Sequence, residues 1–268
     1  MNNTFGFIGT GNMGGALAGA AAKTLSPASI LLADQNTAKA AALAERLGCR
    51  VGTAKEAAAC GYVFLGVKPQ MLRDLLTELA PILAARTDDF VLVSMAAGVT
   101  IADIRTMVGG EYPVIRIMPN IPASVGGGVI MYDTTDNVSA EALAQFLHNM
   151  SAAGLLDRLP EKLIDAGSAV AGCGPAFAAM FVEALADGGV ACGLPRDQAM
   201  TYAAQMLLGS AKLLLETDRH PGQLKDAVCS PGGSTIAGVR ALEQNGFRGA
   251  VMRAVEDAFL RTKELGKQ

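Results

Sequence analysis

Two glycine-rich loops hold the residues of this chain best suited to chemistry. The first is Gly9-Thr10-Gly11-Asn12-Met13-Gly14, directly after the apolar run Thr4-Phe5-Gly6-Phe7-Ile8. The second is Cys229-Ser230-Pro231-Gly232-Gly233-Ser234-Thr235-Ile236. In the first, the spacing suits a tight turn at Gly9, close approach of a pyrophosphate at Gly11, and close helix–strand packing at Gly14. The helix that follows would add free N–H groups and a favourable dipole for an anion. A strand before it and a helix after it point to a dinucleotide site, the alternative being a glycine turn within an unrelated α/β domain. In the second loop, Gly232 and Gly233 let backbone N–H groups approach an anion, while Ser230, Ser234 and Thr235 offer hydroxyls. That set suits a small carboxylate with an adjacent polar atom. The same residues also make an ordinary helix start. Pro-Gly-Gly is then a turn and Ser234 or Thr235 a cap, which is the commoner use of such residues.

Further candidates fall at strand ends. Asp34 closes the second predicted strand, about 20 residues beyond Gly14. A carboxylate there accepts from ribose hydroxyls and repels a 2′-phosphate, which leans the chain toward NADH over NADPH. Lys39 and Lys55 could still reach a phosphate, and Asp34 could instead cap the helix from Thr37. Gly66-Val67-Lys68-Pro69 sits at the carboxyl end of the next strand, where open α/β sheets bind ligands. Val67 and Pro69 could wall a cofactor. Lys68 could reach a phosphate or ribose, or be solvated. Ala96-Ala97-Gly98-Val99-Thr100 and Met118-Pro119-Asn120 end two later strands on the same rim. The Asn120 amide could meet a nicotinamide or substrate, or be a turn residue beside prolines.

These residues need a sheet to position them. Continuous apolar runs predict strands at 4–8, 30–33, 63–67, 91–95 and 114–118, with a late strand at 129–132 and an edge strand at 155–156. Helices are predicted to about Lys23, over 37–47, from Pro69, between the fourth and fifth strands, and over 139–150. Met71, Leu72, Leu75, Leu76, Leu79 and Ile82 recur at helical spacing. Apolar strands alternating with helices imply a mostly parallel, doubly wound sheet covered on both faces. Near Glu161 the strand runs stop and the pattern turns helical, with boundaries at Gly174-Pro175, Gly193-Leu194-Pro195, His220-Pro221-Gly222, Pro231-Gly232-Gly233 and Asn245-Gly246. The expected division is an α/β Rossmann domain over 1–160 and an all-α domain over 161–268.

Bulk properties narrow the class. The chain has 268 residues, 51% of them hydrophobic, with a formal charge of −3. Its mean hydropathy is +0.32 and its isoelectric point near 5.5. The acidic balance argues against nucleic acid or an anionic membrane as main partner. The apolar run 169–194 is broken by Pro175, Glu183, Asp187 and several glycines, so no membrane span is expected. The excess apolar content is read as buried helix surface, with a large subunit interface as one place for it. Five widely spaced cysteines without a C-x-x-C, and two scattered histidines read as surface or cap residues, give no metal site. Reduced thiols and the lack of a signal peptide fit a cytoplasmic protein.

Taken together, several stretches resemble pyrroline-5-carboxylate reductases. They are Phe7 to Gly14, Val67-Lys68-Pro69, Ala96 to Thr100, Arg116-Ile117-Met118-Pro119-Asn120, Gly172 to Phe177, His220 to Asp226, and Cys229 to Gly238. They run in order over nearly the whole chain, and the last is the most specific. The resemblance implies a Rossmann domain followed by a helical domain that interlocks with a second subunit, with further assembly to a decamer in many members. It implies reduction of 1-pyrroline-5-carboxylate to L-proline by NAD(P)H, at a site where the nicotinamide faces the late loop. It implies that Ser230, Gly232, Gly233 and Ser234 hold the substrate carboxylate and that Thr235 bonds the ring nitrogen and acts in catalysis. The chain departs from the family pattern at Ala171, Cys173, Phe177, Ile121 and Ser234. Asp34 replaces a small hydroxyl residue that helps hold a 2′-phosphate.

Two other readings are weighed beside it. A two-domain 2-hydroxy-acid or ketopantoate-type dehydrogenase would use a lysine of the helical domain as acid–base, with Lys212 and Lys225 as candidates. A non-enzymatic nucleotide sensor would need no second anion-binding loop.

Overall fold

The computed structural model describes residues 2–265. The strands are β1 (Phe5–Ile8), β2 (Ile30–Ala33), β3 (Arg50–Val51), β4 (Tyr62–Leu65), β5 (Val91–Ser94), β6 (Val114–Met118), β7 (Gly128–Thr134) and β8 (Gly154–Arg158). They form one sheet in the order β3-β2-β1-β4-β5-β6-β7-β8. Every pair is parallel except β6 with β7. The order reverses between β1 and β4, which is where open sheets of this kind leave a crevice at their carboxyl ends.

Strands β1, β2, β4, β5 and β6 are buried along their whole length, the burial their continuous apolar sequences demand. One face carries Phe5, Phe7, Phe64 and Phe146, with the Phe7 and Phe64 rings stacked at 4.2 Å. The other packs Val63, Leu65 and Leu92 against Leu72, Leu76, Leu79 and Leu83 of α4 (Pro69–Ala84). Local signals set the other helices of this part. They are α1 (Asn12–Ala21), α2 (Thr37–Leu47), α3 (Ala54–Ala57), α5 (Ile101–Val108) and α6 (Ala140–Met150). Asn36 caps α2, Ser139 caps α6, and Thr100 forms a reciprocal box with Asp103 on α5. Pro69 opens α4, where its missing N–H costs nothing.

Two local expectations need correction. The third predicted strand is the fourth, because the two-residue β3 and the one-turn α3 intervene. Both are too short for periodicity to show. That strand also stops at Leu65, so Gly66 and Val67 belong to the loop. The helix boundary expected at Gly174-Pro175 is where α8 (Gly174–Ala191) starts, and it follows α7 (Glu161–Gly167) and one π-helical turn, Ser168–Gly172. The Cys173 N–H donates to the Ser168 carbonyl at 3.0 Å. Pro175 has no N–H for the Ala171 carbonyl, four residues back. Asn120 Nδ2 supplies that missing donor at 2.8 Å.

The run Glu161–Ala191 is long and apolar enough to cross a membrane by length and composition alone, a test that core helices of soluble proteins also pass. Only 11% of its most apolar stretch is buried within the chain. The remaining helices are α9 (Arg196–Thr217), α10 (Pro221–Ala227), α11 (Ser234–Gln244) and α12 (Phe247–Leu265). Residues up to Cys173, with those from Ala258 on, form one compact unit, and Gly174–Asp257 form the other. In the second unit α8 and α9 meet through Ala186, Ala199 and Ala203, small enough for close approach. Met180, Leu208 and Leu215 remain exposed on those helices.

Candidate functional site

A groove of about 600 Å³ opens at the carboxyl ends of the strands around the β1/β4 reversal. Gly9, Gly11, Asp34, Gly66, Val67 and Lys68 line it. Gly52 and Thr53 from the β3–α3 connection, and Met71, Asp74 and Glu78 from α4, line it as well. Sequence reasoning missed these. The Thr53/Glu56 capping box was the one readable signal for the first pair. A hollow of like volume between Asp88–Val91 and Ser139–Gln145 lies at the opposite, amino edge of the sheet and carries no glycine loop.

The three glycines differ in what they do. Gly9 adopts φ +100°, and a Cβ there would meet the Gly66 carbonyl at 2.5 Å. A Cβ on Gly14 would run into the Gly9 carbonyl. Gly11 faces open space, with no described atom within 4 Å of where its Cβ would stand. This is the division of labour a pyrophosphate loop requires. Gly11 is also the N-cap of α1, and no described side chain caps that helix, so its first-turn N–H groups are left for an anion. Asn12 is exposed and Met13 half-buried at the same turn.

Asp34 is engaged from within the chain. Its Oδ2 accepts from the Thr10 N–H at 2.7 Å and the Thr10 hydroxyl at 2.9 Å, and its Oδ1 from the Asn36 N–H at 2.9 Å. Burial pushes this carboxyl up, but the Thr10 and Asn36 N–H groups, the Thr10 hydroxyl and Lys39 outweigh it and hold the group below the ordinary carboxylate value. Two readings are thereby corrected. Asp34 does not cap α2, since Asn36 does, accepting from the Lys39 N–H. Thr10 is not a cofactor donor, since it is buried and both its donors go to Asp34.

Other rim candidates separate. Ala96 packs in the core beneath the rim rather than on the groove, a correction that follows from its 2% exposure. Ala97 is exposed and Gly98 takes φ +72° in the turn beyond it. Pro69 is exposed at the first turn of α4. Asn120 is buried, and its amide bonds within the chain: Oδ1 accepts from the Val129 N–H at 2.9 Å and Nδ2 donates to the Ala171 carbonyl at 2.8 Å. It joins β6, β7 and the π turn.

The late loop differs from a plain helix start. Gly232 takes φ +69°, and the Gly233 N–H closes the turn on the Ser230 carbonyl at 3.0 Å. The N-cap of α11 is Gly233, and no described side chain caps it. The expected cap at Ser234 or Thr235 is therefore corrected: both already lie inside the first turn, exposed, with their hydroxyls uncommitted to the backbone. His220 does cap its helix, α10, by accepting from the Gly222 N–H at 3.1 Å. In the same region Lys225 Nζ donates to Asp226 Oδ1 at 2.5 Å, and that carboxylate holds the ammonium above the ordinary lysine value. An acid–base lysine needs the reverse shift. Lys212 pairs with Glu216 on the exposed face of α9.

The geometry agrees with what the chain is similar to. Residues 161–265 match the family described as pyrroline-5-carboxylate reductase dimerisation, and residues 4–98 match NADP oxidoreductase, coenzyme F420-dependent. The pyrroline-5-carboxylate reductase of Pisum sativum is 41% identical, over 98% of this chain and 96% of its own. That of Escherichia coli K12 is 38% identical over the full length of both. The crystal structure of Plasmodium falciparum pyrroline carboxylate reductase with NADP bound superposes with a TM-score of 0.86 at 31% identity, over 98% of each chain. Full-length identity of this order, with the two loops in place, shows that the chain belongs to the pyrroline-5-carboxylate reductase family.

Proposed function

We propose that this chain catalyses the last step of proline biosynthesis, reducing 1-pyrroline-5-carboxylate to L-proline. The observation that carries the reading is the uncapped start of α11, where first-turn N–H groups and the Ser230, Ser234 and Thr235 hydroxyls are left for a ligand. The substrate's carboxylate suits the N–H groups around Gly232 and Gly233 with the Ser230 and Ser234 hydroxyls. Its ring nitrogen suits Thr235. The protonated imine is already electrophilic, so the chain's task is to position and to exclude water, and no acid–base dyad is required. Bound NAD(P)H supplies the hydride that converts C=N to CH–NH. Gly9 and Gly11, with the free N–H groups of α1, hold the pyrophosphate.

Cofactor choice leans to NADH. The ionised Asp34 stands at the end of β2, and Asp74 and Glu78 line the same groove, an unfavourable field for a 2′-phosphate. Residues 1–160 bind the dinucleotide, while 161–268 dimerise and bind substrate, with decamers as a further assembly. The exposed apolar faces of α8 and α9 support a subunit interface there.

The test is the loss of reduced-nicotinamide absorbance when 1-pyrroline-5-carboxylate is added with NADH, and separately with NADPH. Proline formation with either supports the reaction, and the ratio of rates judges Asp34. Turnover of 2-hydroxy acids alone would move the chain to the dehydrogenase reading.

A further inference from the structure

We infer that Thr10 and Asp34 act as one positioning unit that presets the glycine turn, so that Asp34's hydrogen bonds set affinity for both cofactors while its charge sets the choice between them. The inference rests on the reading of the groove as the dinucleotide site. Thr10 lies between Gly9, which makes the turn, and Gly11, which faces the open groove. The Gly9 N–H donates to the Ala33 carbonyl at 2.8 Å, and the next N–H along, that of Thr10, donates to Asp34 Oδ2. The β1–β2 pairing is thus carried one residue past the strands by a side chain. The Thr10 hydroxyl adds a second bond to the same oxygen, at a residue only 2% exposed.

A carboxylate has about four lone-pair sites. Thr10 fills two on Oδ2 and Asn36 one on Oδ1. One site remains for a ribose hydroxyl, on Oδ1, so Asp34 meets a ribose with a single oxygen rather than both. The turn, by contrast, receives two bonds. Holding the Gly9–Thr10–Gly11 peptides in place before the ligand arrives removes an ordering cost from binding, and that saving is common to NADH and NADPH.

The experiment is a double-mutant cycle, Thr10→Val, Asp34→Ala and the pair, with NADH and NADPH dissociation constants measured by calorimetry and amide exchange followed over residues 9–14 in the free protein. Thr10→Val is expected to weaken both cofactors by the same factor, about 3- to 10-fold, from the loss of one charge-assisted bond. In the Asp34→Ala background it should add nothing. The NADH:NADPH affinity ratio should hold in Thr10→Val and move toward NADPH in Asp34→Ala. Exchange of the Thr10 amide should accelerate in Asp34→Ala. Thr10→Ser, which keeps both donors, should bind both cofactors as the parent does. Additive effects, an altered ratio in Thr10→Val, or an unchanged Thr10 amide in Asp34→Ala would overturn the unit. If the parent chain binds neither cofactor, the site reading fails while amide exchange still decides the clamp.

Discussion

Asn120 Nδ2 donates to the Ala171 carbonyl at 2.8 Å, the acceptor that Pro175 leaves without a helical partner. The other end of the same amide receives the Val129 N–H. One side chain thereby lets a proline sit within a continuous helical run and ties that run to the sheet. Asn120→Ala would leave two half-buried backbone groups without their partner, so a loss of about 1–3 kcal/mol in urea unfolding is expected. A midpoint equal to the parent's would show the clamp to be idle.

Gly11 and Gly14 should respond differently to one added methyl. Gly11→Ala meets open space, so the melting temperature should hold while dinucleotide affinity falls at least tenfold, about 1.4 kcal/mol, because the methyl stands where the pyrophosphate must approach. Gly14→Ala drives a Cβ into the Gly9 carbonyl and should lower stability by about 1–3 kcal/mol. Parallel thermal melts and cofactor titrations separate the two, and equal effects on stability would contradict the assignment of roles.

Thr235 is assigned the ring nitrogen. Removing one hydrogen bond to a group whose charge changes costs about 1–3 kcal/mol, so Thr235→Ala should lower kcat/KM roughly 5- to 150-fold. The circular dichroism spectrum should stay that of the parent, since the exposed hydroxyl caps no helix. Unaltered kcat/KM would remove Thr235 from the mechanism.

Arg116 is 2% exposed and pairs with Glu161 and Asp165, each at 3.1 Å, while its Nε has no partner among the described residues. Glu161 also accepts from the Ile101 N–H at 2.7 Å. The cluster links β6, the start of α5 and α7. Arg116→Met would strand two carboxylates that keep 28% and 26% of their side-chain surface in water. The expected loss is about 2–4 kcal/mol, below the value for a fully buried pair. Denaturant unfolding measures it, and a variant within 0.5 kcal/mol, about the scatter of surface changes, would refute the argument.

Asp34 gives stability a definite pH sense. Its folded-state value lies below the ordinary 3.8, so its contribution is full well above that pH. The contribution falls away as pH drops through 3.8 toward the lower folded value, and is gone beneath it. The stability gap between the parent and Asp34→Asn should therefore be widest near neutrality and narrow in acid. Urea titrations at a series of pH values check this, and a gap that widens toward acid would reverse the sign assigned here.

Much of this protein was legible in its residues. Continuous apolar runs placed β1, β2, β5 and β6, and G-x-G-x-x-G placed the turn and α1, because each rests on interactions within a few residues. The proline at the start of α4 was local for the same reason. The late loop's composition was readable, but whether its hydroxyls capped α11 was not, since both outcomes use the same residue types. Tertiary structure decided the rest, through partners far apart in the chain. Thr10 and Asp34 are 24 residues apart and Asn120 and Ala171 are 51 apart, and in each case the distant partner gave a polar side chain a task its own neighbourhood did not show. The Gly174-Pro175 pair reads as a helix boundary on local grounds, and α8 starts there. The π turn before it was not readable, because the carbonyl that the proline orphans finds its donor on the rim of the sheet.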